Sequence, residues 1–302
     1  AFKMKKIILY STIFLLFFSC ETIEGPYLNN ENISNNQPST TTKNVLIEDF
    51  TGHLCPNCPD AAKELEAIQN VYGDKIIGMA IHVTKSFARP YSVSQAPKFQ
   101  YDFRTEWGTY WDNLFGLSLV GLPRGMVNRN GYSNGNHKLG KDEWLNIVQQ
   151  ELEKTANIRI EILPANFSEK NGFIDINTSI LNNLTGNYNL IVCLTENGIV
   201  NWQKDGSIEK EDYIHNHVLR TVLYEGQLTN SSLLNASEVY SKRINYDLDD
   251  LEEYNINYSL NIAQLGNGNS GNWNPNNIFI VAYVYNTATH EIIQVEENQL
   301  IN

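Results

Sequence analysis

The segment that most restricts this chain is Cys55-Pro56-Asn57-Cys58, set between an apolar run and a stretch of helical periodicity. The run, residues 45–50 (VLIEDF), reads as a short buried strand. Beyond the pair, residues 59–71 carry Ala62, Leu65, Ile68 and Val71 at three- and four-residue spacing, one face of a helix. The two cysteines therefore fall at a helix N-terminus, where unpaired N–H groups and the helix dipole stabilise a thiolate. In such a pair the exposed first sulfur, Cys55, attacks a disulfide, and Cys58 resolves the mixed disulfide that forms. Pro59 suits the first helical turn, which has no use for its missing N–H.

Around this motif, strand and helix signals alternate. Residues 75–83 (KIIGMAIHV) read as a second strand and residues 125–129 as a third, ending in the Asn130-Gly131 hairpin signal. Between them lies an insertion, residues 84–120, dense in aromatics and expected to be helical over 96–115. An amphipathic helix over 142–154, with Trp144, Ile147, Val148 and Leu152 on one side, closes a layered α/β domain spanning 45–155. The pattern then changes. Residues 158–162, 172–177, 189–194, 240–246, 254–262 and 278–285 all look like strands, separated by polar turns. Such a series predicts a β-sandwich over 156–302, with the boundary near Thr155.

The first twenty residues read as an export signal: Met4-Lys5-Lys6, an apolar core, then Phe17-Phe18-Ser19-Cys20. The ending is similar to a lipobox, which makes Cys20 the candidate lipidation site; a simple cleaved signal is the alternative. Residues 21–44, rich in Asn, Ser and Thr, lack the apolar surface to fold and read as a tether. No later stretch approaches the length of a membrane-spanning helix. The formal net charge is −12, and loss of Lys3, Lys5 and Lys6 with the signal takes it to −15. That charge argues against binding nucleic acid or an anionic membrane surface through broad electrostatics. Outside the cytoplasm a CxxC is either a stable disulfide or a redox centre.

Residues 49–58 (DFTGHLCPNC) resemble the thioredoxin active-site segment, with an acid six residues before the first cysteine. The resemblance implies that Asp49 takes the proton from Cys58. It also implies that Gly121-Leu122-Pro123 is the cis-proline loop facing the CxxC across a substrate groove. Pro56-Asn57 departs from the Gly-Pro of reducing thioredoxins, and Leu54 replaces the usual aromatic, so the direction of electron flow stays open. The whole chain resembles the outer-membrane-protein-28-related lipoprotein family, through residues 45–53 (VLIEDFTGH), Cys-Pro-Asn-Cys-Pro, 213–220 (YIHNHVLR) and 280–289 (IVAYVYNTAT). That resemblance implies a thioredoxin-like domain followed by an immunoglobulin-like β-domain, held by lipid at the outer membrane. It supplies no established activity.

Other candidates have blander readings. Glu48 competes with Asp49 as the buried acid, and strand alternation puts the two on opposite faces. His53 could hold a proton near the thiolate or join a zinc site, but no second CxxC accompanies it, and no metal is expected. His215 and His217 would share a face if they lay on one strand. Cys193, in an apolar run, reads as a buried, inert thiol. Two functions follow. One is thiol–disulfide exchange on cell-envelope or extracellular proteins, using Cys55, Cys58, Asp49 and Pro123, with His53, Pro56, Asn57 and Leu122 shaping the groove. It needs no cofactor beyond the Cys55–Cys58 disulfide. The other is a non-catalytic surface or adhesion lipoprotein that keeps the scaffold for binding.

Overall fold

A computed structural model of the chain describes residues 42–301. Cys20, the export signal and most of the expected tether lie outside the described residues. The apolar run forms β1 (Val45–Thr51), buried along its whole length. α1 (Cys58–Tyr72) follows directly, with Pro59 in its first turn. β2 (Ile76–His82) returns parallel to β1. Next come α2 (Glu106–Phe115), β3 (Arg124–Val127), antiparallel to β1, and α3 (Lys141–Leu152).

The second half is mostly strand: β4 (Ile158–Asn166), β5 (Asn171–Ile180), β6 (Leu184–Thr185), β7 (Tyr188–Glu196) and the hairpin β8 (Ile199–Asp205) with β9 (Ile208–His215). β10 (Val218–Gln227), β11 (Leu233–Leu234) and β12 (Val239–Asp247) lead into α4 (Leu248–Asn261), and β13 (Ile278–Asn286) and β14 (Ile292–Gln299) finish the described fold. Seven strands form one sheet in the order β14-β13-β7-β10-β2-β1-β3. Strands from before and after residue 155 thus share a sheet. The join is β10 running parallel to β2, with Val218 opposite Ala80 and Ala80 N–H donating to His217 O at 2.7 Å.

Side-chain alternation assigns the two faces of this sheet. Leu46 and Phe50 of β1, Ile191 and Cys193 of β7, and Val281 and Tyr283 of β13 meet Trp111 and Phe115 of α2. On the opposite face, α1 and α3 cover Val45, Ile47, Ile76 and Val127 at one end. At the other end a three-stranded sheet, β12-β5-β4, packs its isoleucines against Leu190, Val192, Leu194, Ile280 and Val284. The chain is therefore mixed α/β, with two stacked sheets in its second half.

Three expectations need correction. Residues 254–261 of the expected strand 254–262 are helical within α4, although Tyr254, Ile256, Tyr258 and Leu260 alternate like a strand. Asp247 caps this helix by accepting from the N–H groups of Asp249 and Asp250, and its buried face includes the polar Asn255 and Ser259. These satisfy Arg220 O and the Asp102 carboxylate respectively, so the hydrophobic period is hidden. Of the expected helix 96–115 only residues 106–115 are α-helical: Thr105 accepts from Gly108 N–H and starts the helix there. The preceding stretch is irregular and buries Phe99, Tyr101 and Phe103. On α1 the inward residues are Ala61, Leu65 and Ile68, whereas Val71 faces solvent.

Candidate functional site

β1 delivers the chain to the CxxC, and Cys55 and Cys58 form a disulfide with Cα atoms 5.5 Å apart. Asn57, immediately before α1, makes no side-chain cap, so no side chain competes with sulfur for the first-turn N–H groups. Pro56 and Asn57 are exposed. The sulfur-bearing residues are not: Cys55 is 1% exposed and Cys58 2%. The exposed first sulfur expected from the motif is thus covered, and the cover comes from two later segments.

One cover is the start of the insertion. Leu54 N–H donates to Phe87 O at 2.8 Å, and a Cβ on Gly52 would stand 2.2 Å from that same oxygen, so only glycine admits this approach. The other is the β8–β9 hairpin. Lys204 N–H donates to His53 O and Gly206 N–H to Pro56 O, both at 2.8 Å. The Gln203 amide, buried between them, donates to Cys55 O at 3.1 Å and to Gly52 O at 3.4 Å. Nothing in the motif itself announced Gln203; its signal lies in the pairing of a hairpin 150 residues downstream.

Beneath α1, Asp49 and Cys58 line a cavity of about 670 Å³ together with Gln203, His82, His215 and His217. Asp49 is buried without a cation, and Oδ1 has no hydrogen-bond partner among the described residues. Burial alone pushes its carboxyl up to about 8. The competing acid, Glu48, sits on the other face of β1 and is bound bidentately by Arg129 at 2.9 and 2.7 Å. Among the two, only Asp49 reaches the cavity that Cys58 lines.

His53, His82 and His215 are buried, and burial lowers the pKa of each. His53 donates from Nε2 to Arg89 O at 2.9 Å and lies edge-on to Phe99 and Phe103; burial pushes its pKa down to about 4. With the disulfide closed, burial thus works against a charged His53 near neutral pH. His82 stacks on Phe103, 4.6 Å between centroids, and His215 lies 5.7 Å from His82. Burial lowers His82 well below its usual value, His215 to about 3 and His217 to about 4. His215 and His217 do not share a strand face. His215 ends β9, and His217 sits in the following turn with φ +57°, yet both reach the cavity. No cluster of three ligating side chains suited to a metal ion occurs among the described residues.

Leu122-Pro123 is a cis peptide just ahead of β3. Phe50 pairs with Arg124, so the register sets Pro123 beside Thr51, at the end of β1 that leads into the CxxC. Leu122 is half-buried against the α2 side of the sheet. Cys193 is fully buried in β7, where burial pushes its thiol well up.

A family model described as "Outer membrane protein Omp28" matches residues 110–302. That span contains Pro123, Gln203, His215 and His217 but not Asp49, His53, Cys55 or Cys58. HBP35 of Porphyromonas gingivalis has a similar structure, with a TM-score of 0.59 over 86% of this chain and 76% of that one, at 16% identity. A domain of the outer membrane lipoprotein Omp28 from the same organism matches over 48% of this chain and 88% of its own, at 18% identity and a TM-score of 0.28. A protein of Agrobacterium tumefaciens matches over 86% and 96%, at 11% identity and a TM-score of 0.47. No curated protein matches the chain.

Proposed function

Since the chain belongs to the outer membrane protein Omp28 family, a family of outer-membrane lipoproteins, we propose that it carries out thiol–disulfide exchange in the cell envelope through Cys55 and Cys58. The observation that carries this reading is a disulfide at the start of α1 with a cation-free, buried carboxyl, Asp49, lining the same cavity as Cys58. A raised carboxyl is suited to proton exchange with a thiol, because the two proton affinities then lie close together. In the dithiol form the Cys55 thiolate attacks a substrate disulfide and expels one substrate thiolate. In molecules where Asp49 is ionised, a minority at neutral pH that grows toward pH 8, Cys58 passes its proton to the carboxylate and attacks the Cys55 sulfur. This closes the internal disulfide and releases the second substrate thiol.

The finer fold reading belongs to the same proposal: a thioredoxin-like first part and an immunoglobulin-like second part. It is supported by the parallel β1–β2 pair, the antiparallel β3 after Leu122-Pro123, α1 after the CxxC, and the stacked sheets that follow. Lipidation at Cys20 would supply the anchor.

Redox titration of the mature protein tests the activity. Reversible cycling in the oxidoreductase range, with one thiol reactive near neutral pH, supports exchange. A disulfide that stays closed under glutathione rejects it. The burial of both cysteines, with the hairpin closed over Cys55, favours a second reading, a structural disulfide in a non-catalytic surface lipoprotein, and that closed outcome is the one it expects.

A further inference from the structure

Two routes to the disulfide are unequal. On the Cys55 side, the backbone groups that an incoming peptide would pair with are already taken. His53 O and Pro56 O accept from the β8–β9 hairpin, Leu54 N–H donates to Phe87 O, and Gln203 holds Cys55 O. On the Cys58 side lies the 670 Å³ cavity, which Cys58 lines and Cys55 does not. Its volume falls in the range of small-molecule sites and is far too small for a folded protein.

The cavity is also chemically unfinished. Asp49 Oδ1, His82 Nδ1 and His215 Nε2 all lack partners among the described residues, and each side chain is at least 95% buried. Buried polar groups are ordinarily satisfied, so Asp49 and His82, both cavity-lining residues with an unpaired atom, favour an occupant that hydrogen-bonds. Glu66 and Asp212 line it as well, as do Lys63 and Lys210, which also pair with Asp60 and Asp205. A zwitterionic molecule of amino-acid or short-peptide size matches that mixture of charges.

We infer that the cavity admits a low-molecular-weight thiol of amino-acid or short-peptide type, which reduces the disulfide by attack at Cys58 while the hairpin stays closed over Cys55. The inference rests on the reading that Cys55 and Cys58 cycle. The incoming thiolate bonds to Cys58 Sγ, and the Cys55–Cys58 bond breaks with its electron pair leaving on Cys55, which takes up a proton. A second thiolate attacks the small-molecule sulfur of the mixed disulfide. Its product is the oxidised small disulfide, and Cys58 leaves as a thiolate that accepts a proton by way of Asp49. Two small thiols are oxidised and one protein disulfide is reduced, with electrons and protons in balance.

Free cysteine and cystine are the probes. Reduction of the wild-type disulfide by cysteine is timed against that of Ala62→Trp, a bulky change on the half-buried α1 residue that lines the cavity. The expected result is at least a tenfold slowing. Separately, Cys55→Ser and Cys58→Ser are treated with cystine and the adducts read by mass spectrometry. Cys58 in the first variant is expected to be modified at least tenfold faster than Cys55 in the second. Equal rates in Ala62→Trp and wild type, or faster labelling of Cys55, overturn the cavity route while leaving a working redox pair. A wild-type disulfide that neither cysteine nor a strong dithiol reduces in the folded protein instead overturns the exchange reading itself.

Discussion

Glu48 and Asp49 are neighbours on β1 and both are buried, yet among the described residues only Glu48 has a cation, the Arg129 guanidinium at 2.7 and 2.9 Å. Strand alternation produces this asymmetry: one carboxyl turns to the face shared with Tyr283 and α2, the other to the cavity under α1. The pairing on one side frees the acid on the other to hold a proton at neutral pH.

Asp49→Asn is therefore expected to stabilise the protein while slowing exchange. The folded carboxyl keeps its proton up to about 8, whereas in the unfolded chain it ionises near 3.8. Its contribution to stability is fully present below the unfolded value and is lost as pH rises through about 8. The variant removes that loss, so its gain appears at pH 9, on the order of 1–3 kcal/mol, and nearly vanishes at pH 4. Thermal unfolding at the two pH values checks the sign. The resolving step should slow by about a hundredfold, the scale of a lost proton acceptor; an unchanged exchange rate would remove Asp49 from the mechanism.

Glu48 and Arg129 should behave oppositely, as a structural pair. Arg129 also donates to Tyr283 Oη at 2.8 Å and lies over Phe115, 4.7 Å from the ring centroid. Removing one partner leaves a buried charge alone, so Glu48→Gln and Arg129→Met are each expected to cost about 3–5 kcal/mol. The double variant should cost clearly less than the two single losses together. Denaturant unfolding of the four proteins gives the coupling.

Much of this site is legible in the sequence. β1, the CxxC, α1 and the later Leu122-Pro123 follow from local patterns: a buried apolar run, a helical period and turn chemistry. The cover over the sulfurs was not legible. Its polar contacts are backbone carbonyls of residues 52–56, which any sequence possesses, met by Gln203, Lys204 and Gly206 from a distant hairpin. The shared sheet was equally hidden. The pairing of Val218 with Ala80 depends on a single bridge between elements 138 residues apart, with no periodicity to mark it. α4 was misread because Asn255 and Ser259 occupy its buried face, where an amphipathic helix would show apolar residues.

Acid should weaken the fold through its histidines. His53, His215 and His217 are held neutral by burial, at about 4, 3 and 4, while in the unfolded chain each protonates near 6.5. Below that value the unfolded state binds more protons, so stability is present above about 6.5 and falls as pH drops toward 4. Urea unfolding at pH 7, 5.5 and 4.5 should show progressive loss. His215→Gln should reduce the slope between the last two values. A slope the same as wild type would mean that His215 is free to protonate in the fold.

The hairpin's hold on the CxxC gives the last test. Gln203 donates to Cys55 O, Gly52 O and Lys204 O, three carbonyls that converge on one buried amide. Gln203→Ala removes all three bonds and leaves those acceptors in a poorly solvated site, a cost of about 1–3 kcal/mol. That cost falls on the contact between β8 and the cysteine loop, so it should appear as easier local opening as well as lower global stability. In the reduced protein, Cys55 of Gln203→Ala should react about tenfold faster than wild type with a bulky maleimide, whose size demands that the hairpin move. The same variant's reaction with a small alkylating agent should rise less, because the wild-type cover excludes by size. If both reagents accelerate equally, the change has loosened the whole site and the hairpin is no selective barrier. If neither accelerates, the backbone bonds of Lys204 and Gly206 are sufficient by themselves to keep Cys55 closed.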